Sequence, residues 1–371
     1  MLIIRSIDFS DFWIKILFSS LLLISIHASS EIKSDEIVTF FPTIGYPNAH
    51  KTEWTLQIHG WIYEPEWSGD LREFTHFLGL NNGDTFAEDK LFQERKRAFF
   101  VDNQRGKKIS IQLGNKLYPL DPSTENGHFY GILHLSTHEV MQLRANQTEK
   151  NRLSFTAITR PKDTRIFKGE VQLLEEQGIS VISDIDDTVK ISNVRDKKAL
   201  LANTFTHPFQ AVEGMATLYQ AWSQQGAEFH YVSASPWQLY PALADFLAQS
   251  HFPLGSFHLR SFRWKDGDFF NLFKSSQPHK LESIQSLIQT GPHRRFILVG
   301  DSGEQDPEIY ANIARNHPQA IVKILIREAS SESESRYQTA FKDLPTSLWQ
   351  VFKNTVKVEP DLAKLIRISE P

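Results

Sequence analysis

The spacing of apolar and polar residues divides the chain into two parts. Between residues 36 and 175, bulky apolar residues alternate with polar ones in several short stretches, as in strands that bury one face. These stretches cover residues 54–63, 108–113, 127–135 and 153–158, and turn-forming Gly, Asn, Asp and Pro residues separate them. The pattern predicts a β-rich domain over 36–175, built as a small antiparallel sandwich with a helical insertion near 84–101.

From about residue 178 short apolar runs alternate with longer stretches of helical spacing. Apolar runs cover 179–183, 228–233, 256–263, 296–299 and 320–326, and helical patterns cover 213–225, 238–250, 278–289 and 307–316. Five strands with helices between them favour a parallel sheet with helices on both faces. The sequence therefore predicts an α/β domain over 176–327. A tail over 328–371 opens with a polar loop and continues as weakly helical sequence.

Composition narrows the classes of function. A chain of 371 residues is long for one core and suggests two domains, and 40% apolar and 23% charged residues indicate a globular protein. The net charge is −4 and no basic block is present, which argues against a nucleic-acid partner. Cysteine is absent, so disulfides, thiolate zinc sites and a cysteine nucleophile are excluded.

The N-terminus has the features of an export signal. Residues 16–26 form an apolar stretch that follows Lys15 and is too short to span a bilayer. We expect residues 1–28 to be a signal peptide that is cleaved near Ala28, and the protein to be periplasmic or secreted. The absence of cysteine suits such an oxidising compartment. The alternative is an uncleaved signal that anchors the chain in the membrane.

The segment 181–190, Val-Ile-Ser-Asp-Ile-Asp-Asp-Thr-Val-Lys, carries the clearest chemical signal. An apolar strand ends in three carboxylates, Asp184, Asp186 and Asp187, followed by the hydroxyl of Thr188. Carboxylates this close repel one another and need a cation, a shared proton or full hydration. The carboxyl end of a parallel strand is also where an open α/β sheet places its ligand. Taken alone, the segment is also compatible with a solvated acidic turn.

Other polar residues follow the neighbouring strands. Ser233 ends the second strand, Lys280 lies near the start of a predicted helix, and Asp301 and Asp306 follow the fourth strand. A lysine is mildly unfavourable at a helix start because the helix dipole is positive there, which hints at a functional role. In a doubly wound sheet these positions meet at one crevice. Asp306 also has a structural alternative as a helix cap.

These motifs resemble those of the haloacid-dehalogenase-like phosphohydrolases. More narrowly, Ser-Asp-Ile-Asp-Asp-Thr-Val-Lys, Val-Ser-Ala-Ser-Pro-Trp and Gly-Asp-Ser-Gly-Glu-Gln-Asp-Pro-Glu resemble the catalytic domain of the fungal actin-patch phosphatidate phosphatases and their bacterial relatives. The resemblance covers about residues 176–327. It implies a Rossmann-type fold, a phosphoric monoester hydrolase that uses Mg²⁺, and conversion of phosphatidate to diacylglycerol.

The resemblance also implies roles for the site residues. Asp184 would be the nucleophile that forms an aspartyl-phosphate, and Asp186 the general acid and base, with the neighbouring carboxylates favouring a proton on it. Lys280 would stabilise negative charge. Thr188 would hold the turn beside the substrate, and Ser233 would bind phosphoryl oxygens. The expected Mg²⁺ ligands are Asp184, the backbone carbonyl of Asp186, and Asp301, with Asp306 in support.

Electrostatics makes a divalent cation necessary in this interpretation. A carboxylate about 4 Å from a phosphate dianion is repelled by roughly 8 kcal/mol at an effective dielectric constant near 20. One lysine cannot offset this repulsion and also neutralise several carboxylates, whereas a divalent ion can. We therefore expect the cation-free protein to be inactive.

Other functions remain open at this point. The segment 300–303, Gly-Asp-Ser-Gly, copies part of a serine-protease motif and would make Ser302 a nucleophile. A non-catalytic module that binds lipid or protein is a second alternative, and a soluble phosphomonoester is an alternative substrate. Aromatic residues between the second and third motifs could line an acyl-chain surface and contact a membrane, or simply pack the core; they are Phe257, Phe262, Trp264, Phe269, Phe270 and Phe273. Nothing in the sequence predicts an oligomeric state.

Overall fold

The computed structural model describes residues 32–65, 78, 90–262 and 276–369. The predicted signal peptide lies outside these residues, as do the first part of the predicted helical insertion and Trp264, Phe269, Phe270 and Phe273. Within the described ranges, no helix combines the length and the apolar character needed to cross a membrane.

The N-terminal part forms a nine-stranded sheet whose pairings are antiparallel except for one. Its strands are β1 (Ile37–Phe41), β2 (Thr43–Pro47), β3 (Glu53–Pro65), β4 (Val101–Asn103), β5 (Ser110–Leu113), β6 (Lys116–Pro119), β7 (His128–Ser136), β8 (Arg152–Ala157) and β9 (Lys168–Leu173). The long strand β3 pairs with β1, β2, β4 and β7, and the parallel pairing joins β2 to β9. The four predicted strands are thus observed within two residues of their expected ends. The packing of two sheets as a sandwich stays a prediction.

Two helices accompany this sheet: α1 (Lys90–Arg97) and α2 (Thr137–Ala145). Helix α1 occupies the described part of the predicted insertion. Helix α2 begins with a capping box, in which the Ser136 hydroxyl accepts from the Glu139 backbone and the Glu139 side chain accepts from the Ser136 backbone. The alternation along β3 buries Trp54, Leu56 and Ile58 on one face of the sheet.

The second part is built on a six-stranded parallel sheet. Its strands are β10 (Ile179–Ser183), β11 (Glu228–Pro236), β12 (Gly255–Arg260), β13 (Arg295–Asp301), β14 (Ile321–Arg327) and β15 (Trp349–Phe352), in the spatial order β12-β11-β10-β13-β14-β15. Five of them were predicted. The sixth, β15, comes from the tail, for which only weakly helical sequence was expected. It has four residues at the sheet edge, of which only Phe352 is buried, so it leaves no clear apolar pattern.

Helices cover both faces of this sheet. They are α3 (Lys197–Leu201), α4 (Met215–Gln224), α5 (Tyr240–Gln249), α6 (Ser276–Thr290), α7 (Asp306–Asn316), α8 (Glu334–Ala340) and α9 (Leu362–Ser369). Within β10, Val181 packs into the core that contains α4 and α5, and Ile182 packs into the core that contains α6 and α7. Successive strand residues point to opposite faces, which explains why four of the five residues of β10 are buried, its two serines included.

The two sheets share part of one core. The rings of Phe41 in β1 and Trp237, just after β11, lie with centroids 4.1 Å apart. The amide of Phe257 in β12 donates to the carbonyl of Pro42 at 3.1 Å. These contacts hold the N-terminal sheet against the β11–β12 side of the parallel sheet, beside the carboxyl end of β11.

Arg294 fixes the connection from β9 to β10. Its buried guanidinium donates to the hydroxyl of Ser180 at 2.9 Å, and to the carbonyls of Glu175 at 2.8 Å, Gln177 at 3.1 Å and Ile179 at 2.9 Å. One side chain thereby satisfies several backbone oxygens that would otherwise lack partners at the junction.

We predict that Arg294→Ala lowers the free energy of unfolding by about 3 kcal/mol, because it leaves buried acceptors unpaired. Chemical denaturation of the full chain measures this change. The matched control is His293→Ala, whose side chain is 60% exposed and should change stability by less than about 0.5 kcal/mol. Equal effects of the two substitutions would contradict the role given to Arg294.

A buried histidine pair lies where the N-terminal sheet contacts Trp237, beside Phe41. His59 Nε2 and His128 Nδ1 are 2.9 Å apart, and the His59 ring stacks on Tyr130 at 4.4 Å. Burial disfavours the charged imidazolium, so the pKa of His128 falls to about 4, and burial together with the charge of His128 places the pKa of His59 well below its ordinary value. Both rings are therefore neutral at pH 7.

A histidine whose pKa is depressed by folding stabilises the native state above its unfolded pKa, and this stability is lost as pH falls. We predict that the protein loses roughly 3 kcal/mol through His128 between about pH 6.5 and pH 4. Urea denaturation at several pH values should show a shallower slope across this window for His128→Gln than for the wild type. Parallel curves would exclude the pair as a source of acid sensitivity.

Candidate active site

The buried ammonium of Lys280 joins three separate segments of the parallel-sheet half. Its Nζ lies 2.8 Å from Asp184 Oδ1, after β10, and 2.5 Å from Glu304 Oε2 and 2.7 Å from Asp306 Oδ1, both after β13. Lys280 itself is in the second turn of α6. Burial lowers its pKa, but the three carboxylates outweigh burial and raise that pKa well above its ordinary value. The strand ends therefore meet at one place, as the sequence predicted.

Thr188 orients the side chain of Asp184. Its hydroxyl donates to Asp184 Oδ2 at 3.1 Å, and both residues are buried. The amide of Asp184 donates to the carbonyl of Val299 in β13 at 2.9 Å, which fixes the start of the loop. With Lys280 on one carboxylate oxygen and Thr188 on the other, Asp184 is held in a single orientation.

Asp187 has a structural role that the sequence did not reveal. Its backbone has φ 55°, a left-handed conformation that turns its side chain away from the Lys280 cluster. The carboxylate accepts from the amides of Ser192 at 2.8 Å, Asn193 at 2.8 Å and Val194 at 2.7 Å. Of the three carboxylates in the motif, this one holds the following loop in place.

Asp186 lies in a second buried cluster. Its Oδ2 accepts from the hydroxyls of Ser233 at 3.0 Å and Ser235 at 2.8 Å, and its Oδ1 accepts from Ser192 at 2.6 Å and pairs with Lys190 Nζ at 2.8 Å. Burial raises the pKa of Asp186, but Lys190 and the hydroxyls outweigh burial and lower it to about 2.

This arrangement corrects one expectation about Asp186. Neighbouring carboxylates were expected to keep a proton on it, but Asp187 is turned away and Lys190 lies against Asp186 instead. The carboxyl group is therefore ionised at neutral pH in this arrangement. Ser233, expected on phosphoryl oxygens, here donates to Asp186. Lys190 and Ser235 were visible in the motifs, but their types alone did not show that they would converge on one carboxylate.

Three carboxylates form a group suited to a divalent cation. Asp184, Asp301 and Glu304 each offer an oxygen, and these oxygens lie within 4.8 Å of one another. Asp301 Oδ2 and Glu304 Oε1 are buried without a hydrogen-bond partner. Burial, followed by repulsion among the carboxylates, raises the pKa of Asp184 and Asp301 well above the usual range and that of Glu304 to about 7. Burying carboxylate oxygens without a partner costs free energy, and a group whose ligands are all oxygen atoms suits Mg²⁺.

Asp306 lies beside the carboxylate group, and Glu304 belongs to it. Asp306 Oδ1 contacts Lys280 and its Oδ2 accepts from the amide of Asp301 at 3.1 Å, so its side chain supports the carboxylate group without belonging to it. It is the first residue of α7, one after the cap position at Gln305. Glu304 was missed as a ligand. The available signal was its place three residues after Asp301 in the same acidic loop.

Ser302 does not resemble an activated nucleophile. Its hydroxyl donates to the carbonyl of Ser330 at 3.2 Å and accepts from the amides of Ala329 at 3.1 Å and Ser330 at 3.3 Å. These contacts tie the β13–α7 loop to the segment after β14. A nucleophilic serine instead needs a general base beside its hydroxyl, so the protease interpretation of residues 300–303 loses its support.

With one lysine among buried carboxylates at the carboxyl edge of a parallel sheet, the second half of the chain resembles a phosphatase catalytic domain. Residues 179–328 match the family described as "Phosphatidate phosphatase APP1, catalytic domain". This match confirms the resemblance inferred from the motifs. It includes Asp184, Asp186, Ser233, Lys280 and Asp301, whereas the N-terminal sheet lies outside it.

Two curated proteins align with this chain. An uncharacterised protein of Schizosaccharomyces pombe is 34% identical over 197 residues, which cover 50% of this chain and 32% of that protein. Phosphatidate phosphatase APP1 of Saccharomyces cerevisiae is 36% identical over 159 residues, which cover 42% of this chain and 26% of that protein. The chain thus spans about a third or less of the length of these relatives.

Solved structures add little. A sialyltransferase from Photobacterium damsela covers 71% of this chain and 45% of its own, with 11% sequence identity and a TM-score of 0.23. So low a score carries no argument about fold or function.

Removing charge from the carboxylate group should stabilise the cation-free protein. We predict that Asp301→Asn raises the free energy of unfolding in EDTA by about 1 to 2 kcal/mol, because it relieves buried repulsion. The same substitution should remove most of the stabilisation that the wild type gains from millimolar Mg²⁺. Thermal unfolding with and without Mg²⁺ measures both effects.

The control for this prediction is Asp121→Asn, which changes an exposed carboxylate outside the site. It should leave both measurements as in the wild type. A wild-type protein that gains no stability from Mg²⁺, or an Asp301→Asn protein that gains as much as the wild type, would contradict the assignment of the group.

Proposed function

We propose that the protein is a Mg²⁺-dependent phosphomonoester hydrolase that converts phosphatidate to diacylglycerol. The observation that carries this proposal is the meeting of Asp184, Lys280 and the Asp301–Glu304 loop at the carboxyl edge of the sheet. We infer that the second half has a haloacid-dehalogenase-like, Rossmann-type fold. The central place of β10 in the parallel order supports this inference.

Asp184 acts as the nucleophile in two steps. Its carboxylate oxygen forms a bond to phosphorus while the bond from phosphorus to the alkoxide oxygen breaks, and the alkoxide takes a proton and leaves as an alcohol. Water then attacks phosphorus in the aspartyl-phosphate, inorganic phosphate departs, and the carboxylate of Asp184 is restored. Thr188 and Lys280 support this role, because they hold the two oxygens of the carboxylate.

Asp186 transfers the protons. It gives one to the departing alkoxide and later takes one from the attacking water. Because this carboxyl group is ionised in the ligand-free arrangement, it acquires its proton as the negative phosphate approaches, since a nearby negative charge raises the pKa of a carboxyl group. Ser233 and Ser235 can then exchange their bonds to Asp186 for bonds to phosphoryl oxygens.

Charge balance supports the choice of Mg²⁺. Asp184, Asp301, Glu304 and Asp306 carry four negative charges when ionised, against one positive charge on Lys280. Asp184, Asp301, Glu304 and the backbone carbonyl of Asp186 would hold Mg²⁺, which would supply the positive charge that makes the approach of a phosphate to a carboxylate tolerable. Asp306 supports this group through Lys280.

The name of the Saccharomyces cerevisiae relative, phosphatidate phosphatase APP1, supports phosphatidate as the substrate. We propose from the expected export signal that the activity lies outside the cytoplasm and that the lipid is reached by peripheral contact with a membrane.

We predict that the purified protein releases phosphate from phosphatidate with Mg²⁺ and not with EDTA, and that it hydrolyses soluble sugar phosphates much more slowly. Asp184→Asn should lower the rate at least about a thousandfold with the fold intact, because the amide is a poor nucleophile. Phosphate release from a panel of phosphatidate, lysophosphatidate and sugar phosphates measures this. Ser302→Ala is the control and should retain most of the rate.

Each alternative has its own outcome in this panel. Faster hydrolysis of a sugar phosphate than of phosphatidate would show that the substrate is a soluble phosphomonoester. Vesicle binding without any phosphate release would favour a non-catalytic module. Loss of activity in Ser302→Ala with full activity in Asp184→Asn would overturn the assignment of the nucleophile.

A further inference from the structure

A cleft of about 670 Å³ lies between the N-terminal half and the parallel-sheet half. Both halves contribute apolar walls, among them Tyr63, Leu91, Phe209, Leu239, Ala242 and Phe246. The cleft runs along helix α5, from the turn that follows β11 to Gln249 at the end of the helix. Its size is in the range of about 300–1,000 Å³ that is usual for small-molecule sites.

The cleft adjoins the Asp186 side of the candidate active site. The Phe209 ring lies 4.9 Å from Lys190 Nζ, and Lys190 Nζ lies 2.8 Å from Asp186 Oδ1. Leu239 lies four residues after Ser235, which donates to the same carboxylate. Phe209 in the wall of the cleft thus contacts the Lys190–Asp186 pair, although Lys190, Asp186 and Ser235 do not themselves line the cleft.

The N-terminal half fixes this wall. Arg95 in α1 donates to the carbonyls of Thr204 and His207, both at 2.8 Å, and its guanidinium lies 3.8 Å from the centre of the Phe209 ring. Phe209 is thus held between Arg95 and Lys190. This contact joins the N-terminal helix to the loop that follows the Asp184 motif.

The chemistry of the leaving group indicates what the cleft would hold. Asp186 is the residue that protonates the departing alkoxide, so the carbon skeleton attached to that oxygen extends from the Asp186 side of the site. In phosphatidate this skeleton ends in long hydrocarbon chains. Hydrocarbon gains by leaving water for an apolar cleft, roughly in proportion to the area that is buried.

We propose that this cleft binds an acyl chain of the lipid substrate, so that the N-terminal half forms part of the substrate site. This inference rests on the proposed function. It gives the N-terminal sheet and α1 a role that the sequence did not predict, and it locates part of the lipid selectivity outside the segment that matches the phosphatase family.

The test fills the cleft and compares two phosphatidates. Ala242→Trp places a large side chain in the cleft, and Ala248→Trp, at an exposed position of the same helix that does not line the cleft, is the matched control. The full chain is assayed with dioleoyl phosphatidate in detergent micelles and with water-soluble dihexanoyl phosphatidate. We expect the ratio of kcat/KM for the long chain to that for the short chain to fall at least tenfold in Ala242→Trp. It should stay within twofold of the wild type in Ala248→Trp.

A second variant guards against a folding defect at Ala242. Gln249→Trp fills the far end of the cleft from an exposed position, and it should lower the same ratio. Unchanged ratios in Ala242→Trp and Gln249→Trp, with thermal stability as in the wild type, would overturn the inference. A wild-type protein that hydrolyses neither phosphatidate would instead refute the proposed function, so the two failures are distinguishable.

Discussion

The buried ammonium of Lys280 is the interaction on which the rest of the site depends. It lies within 2.8 Å of carboxylate oxygens from the β10 loop and from the β13–α7 loop, which are far apart in the sequence. Burying one cation among several carboxylates is costly unless every charge is matched, and here positive charge is in deficit. The buried oxygens of Asp301 and Glu304 that lack a hydrogen-bond partner mark where the additional positive charge would lie. The loops thus bring together more negative charge than the polypeptide itself neutralises.

The ion pair between Lys190 and Asp186 gives Asp184 and Asp186 opposite environments. Asp184 lies among other carboxylates and its pKa is raised, whereas Asp186 is surrounded by Lys190 and three serine hydroxyls and its pKa is lowered. The two residues are separated in the sequence by Ile185 alone, so the difference comes from what the loops and strand ends bring to each of them. Lys190 also contacts Phe209, which connects this ion pair to the N-terminal half of the chain.

The sequence predicted the elements with strong local signals. Strands β10, β11, β13 and β14 and the convergence of Asp184, Lys280 and Asp301 could be inferred, because apolar runs ended in polar residues at a predictable sheet edge. Strand β15 could not be inferred, since it is a short edge strand in which only Phe352 is buried. The positive φ of Asp187 and the loop amides that its carboxylate binds were not visible in the residue type. The place of Glu304 in the carboxylate group depends on how one loop folds against Lys280.

The most direct test of the central claim is the location of a divalent cation. Crystals soaked in Mn²⁺, which shares the preference of Mg²⁺ for oxygen ligands, would be measured for anomalous scattering. The account predicts one strong peak among the side chains of Asp184, Asp301 and Glu304, with Lys280 beside it and no ion at Asp187. A site without a peak at millimolar Mn²⁺, or a peak bound by other residues, would contradict it.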